Sequence, residues 1–123
     1  RRALAISDGT QTNRMILYTN ASSNDSRTLL TVSGAGQAGH SEAGAFPESR
    51  IIMAADNSSS NSSFNGSTEV TDTSVTMPST MDRLYIGLGE LGSTNPTAHT
   101  GTISRIAIWP QRLPNDTLQT ITV

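Results

Sequence analysis

The sequence predicts an all-β fold, an antiparallel β-sandwich with one short helix near the end of the chain. Composition is the first observation behind this prediction, because 17 Ser, 17 Thr and 8 Asn stand among 123 residues. These side chains compete with helical backbone hydrogen bonds and favour strands, turns and loops. The second observation is a series of short apolar runs separated by turn signals, which is typical of sandwiches and barrels. Since this length suits one domain, residues 1–123 are expected to form a single sandwich.

Seven strands are expected in chain order. They are Ala3–Ser7, Arg14–Thr19, Thr28–Ser33, Arg50–Asp56, Ser67–Thr71, Arg83–Leu88 and Thr102–Trp109. The pairs Asp8-Gly9 and Asn65-Gly66 accept positive φ angles, so each predicts a tight turn between antiparallel neighbours. Apolar residues on both faces of Ile51–Ala55 predict a strand covered on both sides, and the apolar run that ends at Trp109 predicts a central strand.

Three other segments complete the expected organisation. Asn57–Ser63 reads NSSSNSS, which predicts a flexible polar connection. Gly34–Gly44 is rich in Gly and Ala and is expected to be a loop. Pro114–Ile121 is the predicted helix, because proline is pre-organised for a first helical turn, and Leu118 and Ile121 are expected to face the sandwich.

Charge and composition exclude several functions. The net charge is −2, and the eight basic residues, all Arg, are scattered along the chain, so no basic field is expected to bind nucleic acid. No apolar run is long enough to span a membrane. The chain has no Cys, which excludes disulfides and thiolate metal sites. No cofactor is expected.

The candidate catalytic motifs are weak, and the sequence predicts no enzyme. Gly34–Gly39 matches G-x-G-x-x-G, but a dinucleotide site needs a helix to begin there, and Gly44 and Pro47 would break one. A Ser-His-Asp site would need His40 or His99, and nothing places a Ser and an Asp beside either. Both histidines are expected in solvated loops.

The patterns of carboxylates and of metal ligands are equally weak. The pair Glu69 and Asp72 lies at an odd spacing that puts the two on opposite faces of a strand, whereas glycoside hydrolysis needs two carboxylates flanking one bond. No metal site is predicted, although a calcium ion held by Asp8, Asp56 or Asp72 stays open, since such sites leave a weak sequence trace.

Sugar binding without cleavage is the chemistry that the sequence favours. It requires an aromatic platform with polar hydrogen-bonding side chains on loops. The aromatic residues are Tyr18, Phe46, Phe64, Tyr85 and Trp109. Trp109 ends the most apolar run and is expected to pack in the core or in a subunit interface. Phe46 and Phe64 lie beside predicted loops and are therefore the predicted ligand-binding residues.

Several segments resemble a known family. The segments Ser63–Gly66, Leu84–Gly87 and Gly101–Pro110 resemble the laminin-G or concanavalin A-like jelly roll. The ending Arg112–Thr122 resembles the C-terminal tail of such domains in tailed-bacteriophage virion proteins, and Ser7–Thr10 fits the same group. The resemblance implies a jelly-roll sandwich on the surface of a phage particle.

The resemblance also implies a range of functions. We expect a non-catalytic domain for attachment to a host-surface glycan or for fibre or tail presentation; the alternative is a purely structural virion or capsid-decoration subunit with no ligand. The implied partners are other virion proteins and copies of the chain itself, with a homotrimer as the first expectation. The family usually has more strands than seven, which implies further strands upstream of residue 1 or a cover from another subunit.

Overall fold

The fold is a β-sandwich of two antiparallel sheets with one short helix, as the sequence predicts. A computed structural model describes residues 2–20, 22–44, 48–87 and 98–123. The elements are β1 (Arg2–Ser7), β2 (Arg14–Asn20), β3 (Asp25–Val32), β4 (Ala35–Ala43), β5 (Ile51–Ala55), β6 (Ser60–Phe64), β7 (Val70–Asp72), β8 (Arg83–Ile86) and α1 (Asn115–Ile121). One sheet has the order β4-β3-β2-β1-β8, and the other has the order β5-β6-β7.

Six of the seven predicted strands overlap observed ones, namely β1, β2, β3, β5, β7 and β8. The predicted turn at Asn65-Gly66 joins β6 to β7 with φ angles of 49° and 78°, and the Ser67 backbone N–H donates to the Phe64 carbonyl at 2.8 Å. At the predicted Asp8-Gly9 turn, Gly9 has a φ of 91°. Both turns therefore use the left-handed region for which Asn and Gly are suited.

The prediction of a loop at Gly34–Gly44 is wrong, because Ala35–Ala43 forms β4, an edge strand that pairs with β3. The inward-facing positions of this strand carry small or polar residues, so the sequence shows no hydrophobic alternation. Ala38 and His40 are 4 % and 8 % exposed and point toward the other sheet, while Gly39 and Ser41 point away. A strand at the edge of a sheet can use such residues because its partner supplies the ladder hydrogen bonds.

The prediction of a flexible connection at Asn57–Ser63 is also wrong. Residues Ser60–Phe64 form β6, the central strand of the three-stranded sheet, and all five are buried. Two of their hydroxyl groups are hydrogen-bonded to other elements: Ser62 Oγ lies 2.7 Å from Thr28 Oγ1, and Ser63 Oγ lies 2.9 Å from Thr122 Oγ1. Small side chains with internal partners let a polar strand occupy the centre of the sandwich.

The prediction of a central strand at Thr102–Trp109 is wrong for a different reason. These residues join no ladder, and Ile106, Ile108 and Trp109 are exposed. The chain is held before and after them: the His99 backbone N–H donates to the Gly87 carbonyl at 2.8 Å, and the Arg112 guanidinium contacts the second sheet through Asn61. An apolar alternation forms a strand only where it meets an open edge, and this segment passes between its two anchors without pairing.

Two apolar clusters cover the two faces of β5. Between the sheets, Leu30, Ala38 and Val75 form one cluster, against which Met15 and Met53 pack. On the other side, a second cluster joins β5 to α1 and contains Ile52, Ala54, Leu118 and the partly buried Leu113. The expectation that this strand is covered on both sides is therefore confirmed.

The predicted helix is confirmed as α1, with Pro114 at its N-cap position. Leu118 is completely buried, as expected, but Ile121 is 40 % exposed, so the expectation that Ile121 faces the sandwich is wrong. Ile121 lies three positions after Leu118, which rotates it about 60° around the helix axis from the buried side at the very end of the helix. Within the described ranges, no helix has both the length and the apolar character needed to cross a membrane.

Candidate ligand-binding face

Strand alternation divides the five-stranded sheet into two faces. Met15 and Leu30 pack toward the second sheet and therefore mark the inner face. Their neighbours Ile16 and Leu29 pair with each other on the opposite side, which we call the outer face. The outer face includes Arg2, Ala5, Ser7, Arg14, Ile16, Tyr18, Asn20, Asp25, Arg27, Leu29, Thr31, Gly39, Ser41, Arg83 and Tyr85.

The middle of the outer face is a row of apolar residues that runs across all five strands. Pairing of the strands places Tyr85, Ala5, Ile16, Leu29 and Gly39 side by side in that order. Ala5 and Ile16 are only 0 % and 2 % exposed on this side of the sheet. Ile16, Leu29 and Gly39 line shallow cavities, so this part of the row forms the floor of a shallow groove.

Arginines stand on both sides of this floor. On one side, Ser7 pairs with both Arg14 and Arg83, which places two guanidinium groups in one row. On the other side, Tyr18 pairs with both Arg2 and Arg27. Four of the eight arginines of the chain thus lie on the outer face.

Tyr18 divides the groove into two cavities. One cavity has a volume of about 290 Å³ and is lined by Arg2, Arg14 and Asn20, and the other, of about 270 Å³, is lined by Arg27 and Ser41. Tyr18 and Leu29 line both. The phenol ring is half-buried, so part of its surface stays open to a ligand beside charged and amide donors.

Hydrogen bonds fix the guanidinium groups at the edges of the groove. Arg27 Nη2 donates to Asp25 Oδ2 at 2.7 Å, and Arg27 Nε donates to Asp25 Oδ1 at 3.0 Å, a two-point contact with a carboxylate. This contact lowers the pKa of Asp25 and raises the pKa of Arg27. A hydrogen bond with the Tyr18 side chain raises the pKa of Arg27 further. Tyr85 raises the pKa of Arg83 in the same way.

Charged side chains of both signs lie on and beside the outer face. Among the described residues, four arginines and one carboxylate, Asp25, lie on this face of the strands, while Glu42 of β4 lies on the inner face. A second carboxylate, Asp82, precedes β8 and lies 3.7 Å from Arg83 Nε. Asp8 also raises the pKa of Arg83, so Arg27 and Arg83 both have carboxylate neighbours.

The residues predicted for ligand binding do not form this groove. Phe46 lies outside the described residues. Phe64 is 1 % exposed, so the prediction that it is free to stack on a ligand is wrong: it lies two residues after Ser62 on β6, on the same face, and points into the sandwich. Trp109, expected in the core or in a subunit interface, is 40 % exposed in the segment after Gly101 and therefore lies outside the core.

His40 lies on β4, so the expectation of a solvated loop is wrong, and its Nδ1 is 3.0 Å from Ser62 Oγ. The same hydroxyl contacts Thr28, and it is completely buried, so no substrate reaches it in this structure. Burial lowers the pKa of His40, which the Asp72 carboxylate partly opposes. The pair connects the two sheets, and its arrangement is that of a structural contact.

The three aspartates considered for calcium cap turns. Asp8 accepts from the Thr10 backbone N–H at 2.9 Å, Asp56 from that of Ser58 at 2.8 Å, and Asp72 from that of Ser74 at 2.9 Å. Hydrogen bonds from Ser58 and Ser59, with the nearby Arg112, lower the pKa of Asp56 to about 2. Across the described ranges, no group of three His, Cys, Asp or Glu residues comes together as a metal site would require.

Sequence reasoning missed the outer face although one signal for it was present. Arg14, Ile16 and Tyr18 alternate along one predicted strand, which places their side chains on one face. The contribution of Arg27 and Arg2 depends on strand register, which that pattern does not contain.

Comparison with known proteins gives little further information. No protein-family model and no curated protein matches the sequence. Among solved structures, the chain is similar to an S-layer domain-containing protein (residues 221–444) from Clostridium thermocellum, with 17 % identity and a TM-score of 0.49. The similarity covers 100 % of this chain and 63 % of that one.

Proposed function

We propose that this chain is a non-catalytic domain of a phage virion that attaches to a host-surface glycan through its outer face. The observation that carries the proposal is the position of Tyr18, half-buried between two shallow cavities with Arg27 and Asn20 beside it. The virion setting rests on the resemblance of Arg112–Thr122 and the segments before it to phage jelly rolls.

The groove has the chemistry that a saccharide requires. The C–H face of a sugar ring packs against an aromatic ring, while its hydroxyl groups need several donors and acceptors close by. Tyr18 and Leu29 supply the apolar surface, and Asn20, Arg27 and Ser41 supply hydrogen-bonding groups. Since both cavities are shallow, contacts with a glycan would be wet and of modest affinity.

Binding of the full chain to a glycan array and to host cells tests this proposal. Tyr18→Ala should weaken binding about tenfold, equivalent to about 1.4 kcal/mol, because the ring that contacts the sugar is removed. Tyr18→Phe keeps the ring and should retain most of the binding. Trp109→Ala is the control, since it removes a partly exposed aromatic residue outside the groove.

Two results would contradict the proposal. One is the absence of saturable binding to any glycan by a protein that is folded by far-UV circular dichroism. The other is binding that Trp109→Ala weakens and Tyr18→Ala leaves unchanged, since the ligand would then lie outside the groove.

A second candidate function is that of a structural virion subunit with no ligand. The observation that favours it is the exposure of Ile106, Ile108 and Trp109 at 38 %, 53 % and 40 %, since exposed apolar residues that lie close in sequence are typical of protein contacts. This candidate predicts assembly, with a homotrimer as the first expectation. Light scattering should then give a mass that falls when Ile108 is replaced by Ser, and a monomer at all concentrations would count against it.

A further inference from the structure

We infer that this chain binds a second copy of itself by strand addition. Residues 102–109 of one copy, which we call the exposed segment, pair with the free edge of β8 in the next copy. This inference is independent of glycan binding by the outer face. It names the two contact surfaces through which copies of the chain would assemble.

The first surface is the free edge of β8. This strand pairs with β1 on one side, and no other described strand pairs with its opposite side. The Gly87 backbone N–H donates to the Ala3 carbonyl on β1 at 2.9 Å, so the Ile86 carbonyl, on the opposite side of the same peptide plane, is directed to the free edge. An edge of this kind is a template on which another strand can pair.

Apolar side chains lie along this edge. Leu84 pairs with Ile6, which pairs in turn with Met15 on the inner face of the sheet. Leu84 and Ile86 therefore lie on the inner face as well. Among the described residues, the second sheet packs mainly against β2, β3 and β4. Leu84 and Ile86 are accordingly 48 % and 55 % exposed, although the rest of their face is covered.

The second surface is the exposed segment itself. Its backbone forms no hydrogen bond with another described residue, and every residue in it except Ile103 is exposed. Ile106 and Ile108 are two positions apart, so they would share one face if the segment were an extended strand. The segment therefore combines the side-chain pattern of a strand with a backbone that has no strand partner.

The β8 strand of the same chain does not match the exposed segment. The His99 backbone N–H donates to the Gly87 carbonyl at 2.8 Å, which fixes the chain at the end of β8. If the chain ran back along β8 from this bond, Thr100 and Thr102 would lie beside the apolar residues of that strand. Because β8 has only four residues, it would end before Ile106 is reached. The apolar match therefore requires a second copy.

Antiparallel pairing between two copies covers both surfaces at once. With Ile108 opposite Leu84, two exposed aliphatic side chains are buried against each other. Two positions along, Ile106 lies opposite Ile86 in the same way. Pairing over four residues is a small contact, below a standard interface of about 1,600 Å². We therefore expect isolated chains to associate weakly, with an oligomer fraction that rises with concentration.

The other residues of the two strands favour this direction of pairing. Antiparallel pairing places Trp109 beside Arg83, where the indole can contact the guanidinium group. Parallel pairing with the same apolar match would place Arg105 beside Arg83, and two like charges at that distance repel each other. The pairs of neighbouring strands described in both sheets are also antiparallel.

Cysteine cross-linking tests this pairing directly, because the chain has no Cys. One sample carries Leu84→Cys, and a second, isotopically labelled sample carries Ile108→Cys. After mixing and mild oxidation, mass spectrometry measures the disulfides that join a labelled chain to an unlabelled one. Pairing holds these thiols within disulfide distance, so they should cross-link at least about tenfold faster than a control pair of Leu84→Cys with Ile121→Cys. Ile121 is a matched control, since it is 40 % exposed.

Mixing of two impaired chains tests whether different surfaces meet. Ile86→Lys places a charge on the edge of β8, and Ile108→Ser removes an aliphatic side chain from the exposed segment, so each variant alone should be monomeric by sedimentation up to about 1 mM. An equal mixture of the two should recover association, because each chain keeps the surface that the other lacks. Val70→Lys, at a 45 % exposed position on the edge strand β7, is the control and should associate like the unchanged chain.

Three results would overturn the inference. One is a monomer at every concentration from about 10 μM to about 1 mM. Another is a disulfide that forms within one chain carrying both Leu84→Cys and Ile108→Cys, at a rate independent of concentration, since the exposed segment would then belong to its own β8. The third is dissociation by only one of Ile86→Lys and Ile108→Ser, which would mean that identical surfaces pair. Glycan binding through Tyr18 is measured separately, so either proposal can fail while the other stands.

Discussion

The two faces of the five-stranded sheet are built from the same strands but differ in almost every property. The inner face is buried against the second sheet through Leu30 and through the hydroxyl of Thr28. The outer face has Leu29 and Arg27 at the adjacent positions, and no second sheet among the described residues lies over it. Because neighbouring residues of a strand point to opposite sides, stability and ligand recognition can be changed separately in this molecule.

Substitution of the adjacent leucines gives the largest expected difference between the faces. Leu30→Ala should lower the free energy of unfolding by about 2–5 kcal/mol, because it leaves a cavity among Ala38, Val75 and Met53. Leu29→Ala, at a half-buried position, should cost clearly less. Urea unfolding followed by far-UV circular dichroism measures both, and equal losses would contradict the assignment of the faces.

The serine contact between the sheets should give a smaller effect. Ser62→Ala leaves the Thr28 hydroxyl and His40 Nδ1 without their buried partner and should cost about 1–3 kcal/mol in unfolding free energy. Its control is Ser41→Ala on the exposed side of β4, for which a change within about 0.5 kcal/mol is expected in the same urea titration. Similar values for both variants would mean that the buried hydroxyl layer adds no stability.

The pH dependence of stability should also distinguish the faces. The pKa of His40 is lowered below 6.5 in the folded state, so the unfolded chain binds more protons between the two values. The contribution of His40 to the free energy of unfolding should therefore be fully present above about pH 6.5 and should decrease as the pH is lowered toward 5. Thermal melts from pH 7.5 to 5 measure this dependence.

Two variants give the controls for this pH dependence. His40→Gln should flatten it, whereas His99→Gln should leave it in place. A slope that persists in the His40 variant would assign the proton to another group.

The sequence predicts the sandwich because turn residues and apolar runs act locally. It fails at Ser60–Phe64, a polar strand that is buried between other elements, where Thr28 and His40 contact the Ser62 hydroxyl and Thr122 contacts that of Ser63. It fails in the opposite sense at Thr102–Trp109, where the backbone pairs with no strand and several apolar side chains stay exposed. A local sequence pattern does not show which other element a segment will contact. In both segments that contact decides whether the side chains are buried.

The candidate site was partly predictable for the same reason. Arg14, Ile16 and Tyr18 share a face through alternation alone. Arg27 and Arg83 lie on the same face only because of the register in which β3 pairs with β2 and β8 pairs with β1. That register depends on turn geometry and on the whole sheet. The choice of Phe64 failed because proximity to a loop in sequence does not determine which way a strand residue points.

The position of Trp109 has a practical consequence for spectroscopy. It is the single tryptophan of the chain, and it is 40 % exposed in a segment outside both sheets. Its fluorescence in the native protein should already resemble that of a hydrated indole, so loss of the sandwich should change its emission little. The same residue would instead be a sensitive optical reporter of anything that docks on the segment after Gly101, with no label added.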